Sequence, residues 1–231
     1  MNRFLNLIVL LFFFLAITIS SIAQNIITEG KIVYLISYPG MEMDSTYKAM
    51  MPSESVVYFK DKKSRTEMSV STGIYTASIL DSKTGEIITL TDMMGTKNAI
   101  VLTEKDQQNA RREKSKNVAE LPSVKIIYDA ETKVVAGFTC KKAMITTSAE
   151  SNPIEVFYTD QIKSKTQLNS SWENFEGFPL EYTINMDGIV MKLSAASVTT
   201  GNVDDSLFSI PSDYKILTTT ELERMMKEYN K

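Results

Sequence analysis

A mainly β fold is predicted for this chain, an antiparallel sheet with a small helical complement. Three observations predict it. Short runs alternate apolar with polar side chains, the period of a half-buried strand. Turn residues separate those runs at short intervals, as in a meander. A single clear amphipathic helix is visible, where Leu222, Met225, Met226 and Tyr229 fall at i, i+3, i+4 and i+7.

The chain opens on an address rather than on the fold. Arg3 precedes an almost unbroken apolar run from Leu5 to Ile19, and Ser21-Ile22-Ala23 offers small residues for cleavage. This is the pattern of a secretory signal peptide. An uncleaved anchor is the competing reading, but the run falls short of the roughly 20 residues that span a bilayer. Cleavage is expected after Ala23, leaving residues 24–231 as one domain in the periplasm or outside the cell. No cysteine follows the run to carry a lipid anchor.

The first strand is expected over Glu29 to Tyr38. Ile32, Tyr34, Ile36 and Tyr38 share one face, and Val33 and Leu35 the other, so both faces should be covered. Pro39-Gly40 ends it. Met41 to Pro52 is read as a flap with a short helix at Ser45 to Met51. Strands follow at Ser53 to Lys60, Ser64 to Ser71, Gly73 to Leu80, Glu86 to Thr91 and Lys97 to Thr103. Their turns hold Asp61-Lys62-Lys63, Asp81 to Gly85 and Met93-Met94-Gly95.

Glu104 to Glu120 is almost wholly polar and carries no apolar stripe. It is read as a solvated excursion, frayed helix or loop, with a weak basic patch as the functional alternative. Strands resume around Val124 to Tyr128, Thr132 to Ala136, Phe138 to Thr147 and Ile154 to Thr159. Gln161 to Asn174 is a long connection that Trp172 and Phe175 should pin to the core. Pro179 to Met186 and Gly188 to Ser197 form a hairpin around Asp187-Gly188. Phe208 and Ile210 should insert as a docking tail, and a helix over Glu221 to Glu228 should cover one face of the sheet.

Composition excludes several chemistries. The 231 residues contain no histidine and one cysteine. Ser-His-Asp and Cys-His catalysis, imidazole zinc sites and multi-thiolate sites are therefore excluded. Cys140 cannot form an intrachain disulfide; it is read as a buried strand residue, with an interchain bridge or reactive thiol as alternatives. The formal net charge of −3 gives no attraction to nucleic acid. Glu173, Glu176 and Glu181 lie close in sequence, but a loop and an outward strand face suggest solvated side chains rather than an acid–base pair. Asp81 to Glu86 and Asp187-Gly188 lack the ligand spacing of calcium loops. No catalytic residue, metal or cofactor is expected. Asn169-Ser170-Ser171 has the spacing of a glycosylation acceptor.

Four pieces carry a family resemblance: Gly137 to Ala143, Glu155 to Asp160, Gly177 to Tyr182, and Asp204 to Lys215. Together the chain resembles the exported family known as domain of unknown function 4412, within the LolA-like lipoprotein-carrier superfamily. The second half is also similar to a family named for a Gly-Leu-Pro-Gly-Leu-Ile motif, from which Gly177-Phe178-Pro179-Leu180-Glu181 departs. The LolA-like resemblance implies a curved antiparallel sheet forming a half-open β-barrel with helices on its concave side. It implies a hollow that accepts acyl chains. A non-catalytic envelope module binding an apolar or lipid-like ligand is therefore expected, with a lipoprotein as possible partner and a monomeric state. The alternative is a structural or interaction protein of the envelope without a small ligand. Thirteen methionines suit an adaptable apolar surface, or simply a core. Candidate ligand-lining residues are Tyr34, Ile36, Tyr38, Leu180, Tyr182, Ile184, Met225 and Met226.

Overall fold

The computed structural model describes residues 26–115, 124–147, 153–170, 172, 174–186, 188–218, 221–222 and 224. The expected signal peptide, Met225, Met226 and most of the last helix lie outside the described residues. Of that helix, Glu221, Leu222 and Arg224 are described and helical.

Twelve strands form one open sheet among the described residues. They are β1 (Glu29–Ser37), β2 (Glu54–Lys60), β3 (Lys63–Val70), β4 (Ile74–Asp81), β5 (Glu86–Met93), β6 (Thr96–Leu102), β7 (Val124–Val135), β8 (Phe138–Thr147), β9 (Ile154–Thr159), β10 (Phe178–Met186), β11 (Ile189–Thr200) and β12 (Lys215–Ile216). Their order is β12-β6-β5-β4-β3-β2-β1-β11-β10-β9-β8-β7. Every pairing is antiparallel except β12 on β6. Two consecutive meanders thus join through β1, which pairs with β2 on one side and β11 on the other.

Tight turns explain the meanders. Asp61 and Met94 adopt positive φ in the β2–β3 and β5–β6 turns, and Gly85 does so between β4 and β5. The two expected strands at Val124 to Tyr128 and Thr132 to Ala136 are one strand, β7, with a register shift between Asp129 and Thr132.

The sheet is curled. The rings of Phe59 on β2 and Phe178 on β10 meet at 5.7 Å. Three flat strand intervals would hold them about 14 Å apart. β7 returns to touch β11, four places away in the sheet. Gly30 allows the close approach: a Cβ there would lie 2.5 Å from the Thr199 carbonyl oxygen and 3.1 Å from the Phe59 ring. Gly177, at φ +139°, has no room for a Cβ against the Tyr158 ring.

Three apolar clusters result. The first joins Ile32, Tyr34, Val57, Phe59, Phe178, Leu180 and Leu193. The second lies under the tail, where Val203 and Phe208 pack on Ala77, Ile79 and Leu90, with Ile210 at its margin. The third packs Trp172 and Phe175 on Ala143, Ile145, Val156 and Tyr158. The expected pinning of the long connection and insertion of the tail are both observed.

Among the described residues, the tail, with a 3-10 turn over Asp205–Phe208 that buries Phe208, and the connection holding Trp172 and Phe175 supply most of the covering. Helix α1 (Ser45–Ala49) buries no residue. Helix α2 (Glu104–Ser115) forms within the polar stretch, where Thr103 and Asp106 cap each other. It is tied to the sheet by Gln107 Nε2, which donates to the Gly85 carbonyl at 2.7 Å. Helix α3 (Gln167–Ser170) crosses to β4, where Ser78 donates to the Gln167 side chain. One expectation fails at β1: Leu35 is 56% exposed. Its cross-strand neighbours are Glu54 and Ser194, so no apolar layer forms over it.

Candidate functional site

The end of β1 meets the middle of β10 and β11 in an apolar shelf. Tyr34 is buried, and its hydroxyl donates to the Pro179 carbonyl at 2.6 Å. Its ring stands edge-on to Tyr182 with centroids 5.9 Å apart. Ile36 and Leu180 are buried in the same cluster, and Tyr38, Tyr182 and Ile184 pack half-buried against it. The structure therefore brings together six of the eight expected lining residues. Tyr34 and Leu180 fill the core itself. Met225 and Met226 lie outside the described residues.

Beside this shelf is a cleft of about 350 Å³, lined by Ile36, Ser37, Tyr38, Met43, Lys48, Met51, Pro52 and Ser53. That volume is at the small end of ligand pockets. The flap forms one wall. Asp44 caps α1 by accepting the Tyr47 N–H at 2.8 Å, and the Tyr38 hydroxyl donates to the Pro52 carbonyl at 2.6 Å. Sequence reasoning did not assign Met43 and Met51 to the site. Their signal was the crowding of four methionines between 41 and 51.

The charged clusters are satisfied internally. Glu181 was expected to face solvent, but it is buried. Its Oε1 lies 2.7 Å from Lys133 Nζ and 3.0 Å from Lys192 Nζ. Ser194 donates to its other oxygen at 2.8 Å. Curling of the sheet is the physical reason, since it carries β7 and its Lys133 over β10. Burial pushes the Glu181 carboxyl up, but hydrogen bonds from Lys133, Ser194 and Lys192 outweigh it and leave the pKa below the ordinary value. A carboxylate held ionised by Lys133, Lys192 and Ser194 is poorly suited to act as a general acid. Glu176 is exposed on its loop, and Glu173 lies outside the described residues.

Arg65 forms a second buried group. It donates to Glu67 at 2.5 Å, to the Tyr75 hydroxyl at 2.7 Å and to the Leu207 carbonyl at 2.8 Å. It thereby ties the tail to β3. Burial pushes the Tyr75 hydroxyl up to about 12. Cys140 is free and buried. Burial pushes its thiol up to about 11, which disfavours the reactive thiolate. Among the described residues no group of three or more Asp, Glu, Cys or His could hold a metal ion.

The fold and cleft define an open, curled antiparallel β module. Residues 68–199 match the family described as the N-glycanase peptide, N-terminal domain. That is more than half of the sequence, and the chain belongs to this family. Two solved structures of PNGF-II are similar to it. The C2 crystal form aligns with a TM-score of 0.52 and 16% identity, over 86% of this chain and 33% of that one. The P21 form aligns with a TM-score of 0.53 and 17% identity, over 87% and 34%. The chain thus spans about a third of the length of those relatives. No curated protein matches it. No helix among the described residues is long and apolar enough to cross a membrane.

Proposed function

We propose that this chain is a non-catalytic binding module of the cell envelope that takes an apolar, acyl-type ligand in the cleft under the flap. The observation that carries the proposal is the cleft itself. Ile36 and Tyr38 line it from the sheet, Met43 and Met51 line it from the flap, and the half-buried Tyr182 and Ile184 pack in the same cluster as Ile36. Unbranched methionines lining the same cleft as Tyr38 suit a ligand of variable shape. Lys48 at the rim would meet a terminal carboxylate. The resemblance to the LolA-like carriers supports the same reading, with the expected signal peptide providing export.

A second reading treats the chain as an interaction module. The family supports it, because its name denotes an N-terminal domain and the PNGF-II chains are about three times longer than the matched region. In this reading the sheet docks a protein and no small ligand enters the cleft.

Displacement of a fluorescent fatty-acid probe from the mature protein separates the two. The carrier reading expects saturable binding, weakened about tenfold or more by Met51→Glu at unchanged circular dichroism, since a buried charge costs heavily against an acyl chain. Failure of the wild-type protein to bind any acyl probe rejects it. Release of glycans from a glycopeptide by the purified chain would reject the non-catalytic half of the proposal.

A further inference from the structure

The sheet ends on one side at β12, two residues long, and on the other at β7, twelve residues long. Among the described residues no strand pairs with the outer side of β7. A long edge presents a row of backbone donors and acceptors that can take another strand. The first half of β7 is suited to this. Ile127 and Tyr128 are each 51% exposed, and the strand keeps regular register from Val124 to Asp129. The register shift between Asp129 and Thr132 ends that flat stretch, as bulges at sheet edges do.

We infer that β7 pairs antiparallel with β7 of a second copy of this chain, in a register centred on Ile127. The sequence Lys125-Ile126-Ile127-Tyr128-Asp129 is self-complementary in that one register. A twofold axis through Ile127 sets Ile127 against its own copy. It sets Ile126 opposite Tyr128, twice, a β-branched residue against an aromatic one. It sets Lys125 opposite Asp129, twice, an opposite-charge pair on each side of the axis. Lys125 and Asp129 are both exposed. Asp129 uses one oxygen to accept the Glu131 N–H at 3.0 Å, which leaves its second oxygen for the partner lysine. A slip of one residue places Lys125 against Tyr128 or Ala130 and loses both charge pairs. A slip of two places Lys125 against Ile127, or else against Glu131, which lies within the register shift and already holds Lys142 at 2.7 Å. Charge complementarity within the regular stretch Val124 to Asp129 therefore selects a single register, and the second copy is the occupant that supplies it.

The pairing also joins the third apolar cluster to its copy. Val124 and Ile126 pack on that cluster, and Tyr128 stands edge-on to Tyr158 with centroids 5.9 Å apart. Ile126 and Tyr128 of each copy would then continue this layer across the axis. The contact covers a short length of strand, so it describes a weak, concentration-dependent dimer rather than an obligate one.

The test uses the full mature chain with three variants. Ile127→Cys places two thiols across the axis, where opposed Cα atoms lie within disulfide reach. The expected result is rapid dimer formation on mild oxidation, with none in the wild-type protein, whose one thiol is buried. Sedimentation equilibrium should show Lys125→Asp weakening the dimer about tenfold or more, because two attractive pairs become two repulsive ones. The charge swap Lys125→Asp with Asp129→Lys should restore it. A protein that stays monomeric at its highest soluble concentration and does not crosslink through Ile127→Cys overturns the proposal. So does a dimer indifferent to Lys125→Asp, which would lie on another surface. Concentration-independent hydrogen-exchange protection of the outer β7 amides would also overturn it, because a segment of the same chain would then cover the edge.

Discussion

The two halves of the sheet solve the same problem differently. In both halves each strand pairs with the next in sequence, but on the β3 to β6 side the tail that follows β11, Val203 to Ile210, covers one face. From β1 through β11 to β7, the sheet curls until its own strands touch, and buried aromatic rings fill the space. The first meander depends on local turns for its pairing and on the tail for its cover. The curled half depends on contacts between residues far apart in the chain, such as Tyr34 with Pro179. Stability should therefore be unevenly distributed. The curled half should open only with global unfolding, and the tail should open by itself.

Substitutions can break that contrast. Phe59→Ala, at a fully buried ring where β2 meets β10, should cost about 4 kcal/mol in denaturant unfolding and lower the cooperativity of the whole domain. Phe208→Ala should cost about 3 kcal/mol, seen mainly as faster hydrogen exchange of 203–210 and of the β4–β5 face beneath it. If exchange instead rises equally in both halves, the tail belongs to the global unit.

Glu181→Gln should cost about 2 kcal/mol, since charge-assisted hydrogen bonds to Lys133 and Lys192 are weakened. It also sharpens the pH response. The folded carboxyl titrates below its unfolded value, so the network's contribution is complete above the unfolded pKa, about 4.3. That contribution is lost as pH falls through the lower folded value. The variant should show a flatter acid limb in stability against pH. Tyr38→Phe should cost about 1 kcal/mol by removing the bond to Pro52 that holds the flap. Leu35→Ser should change stability by less than about 0.5 kcal/mol, because its side chain already faces water.

Most strands were legible because local pattern and tertiary role agree. Ile154 to Thr159 and Phe138 to Thr147 fall where alternation placed them, bounded by turn residues. The polar stretch was legible as unable to dock an apolar face, but its helix rests on the reciprocal Thr103–Asp106 cap, a local bond that apolar periodicity does not register. Glu181 was misjudged for a different reason. Strand alternation gives the face but not what crosses over it, and Lys133 arrives from 48 residues away. Leu35 was misjudged likewise, since an apolar side chain guarantees no cover.

The β class, the succession of strands and turns, and the exclusion of histidine and multi-thiolate chemistry were all readable from the residues alone. Those properties follow from side-chain period, turn residues and composition, each readable within a few positions. Three features came from long-range packing: β1 joins the two meanders, the β7 side curls back to β11, and the Met-rich flap lines a cleft. These are pairings between distant segments, chosen by the closure of a whole sheet around buried rings, and no local window of sequence contains them.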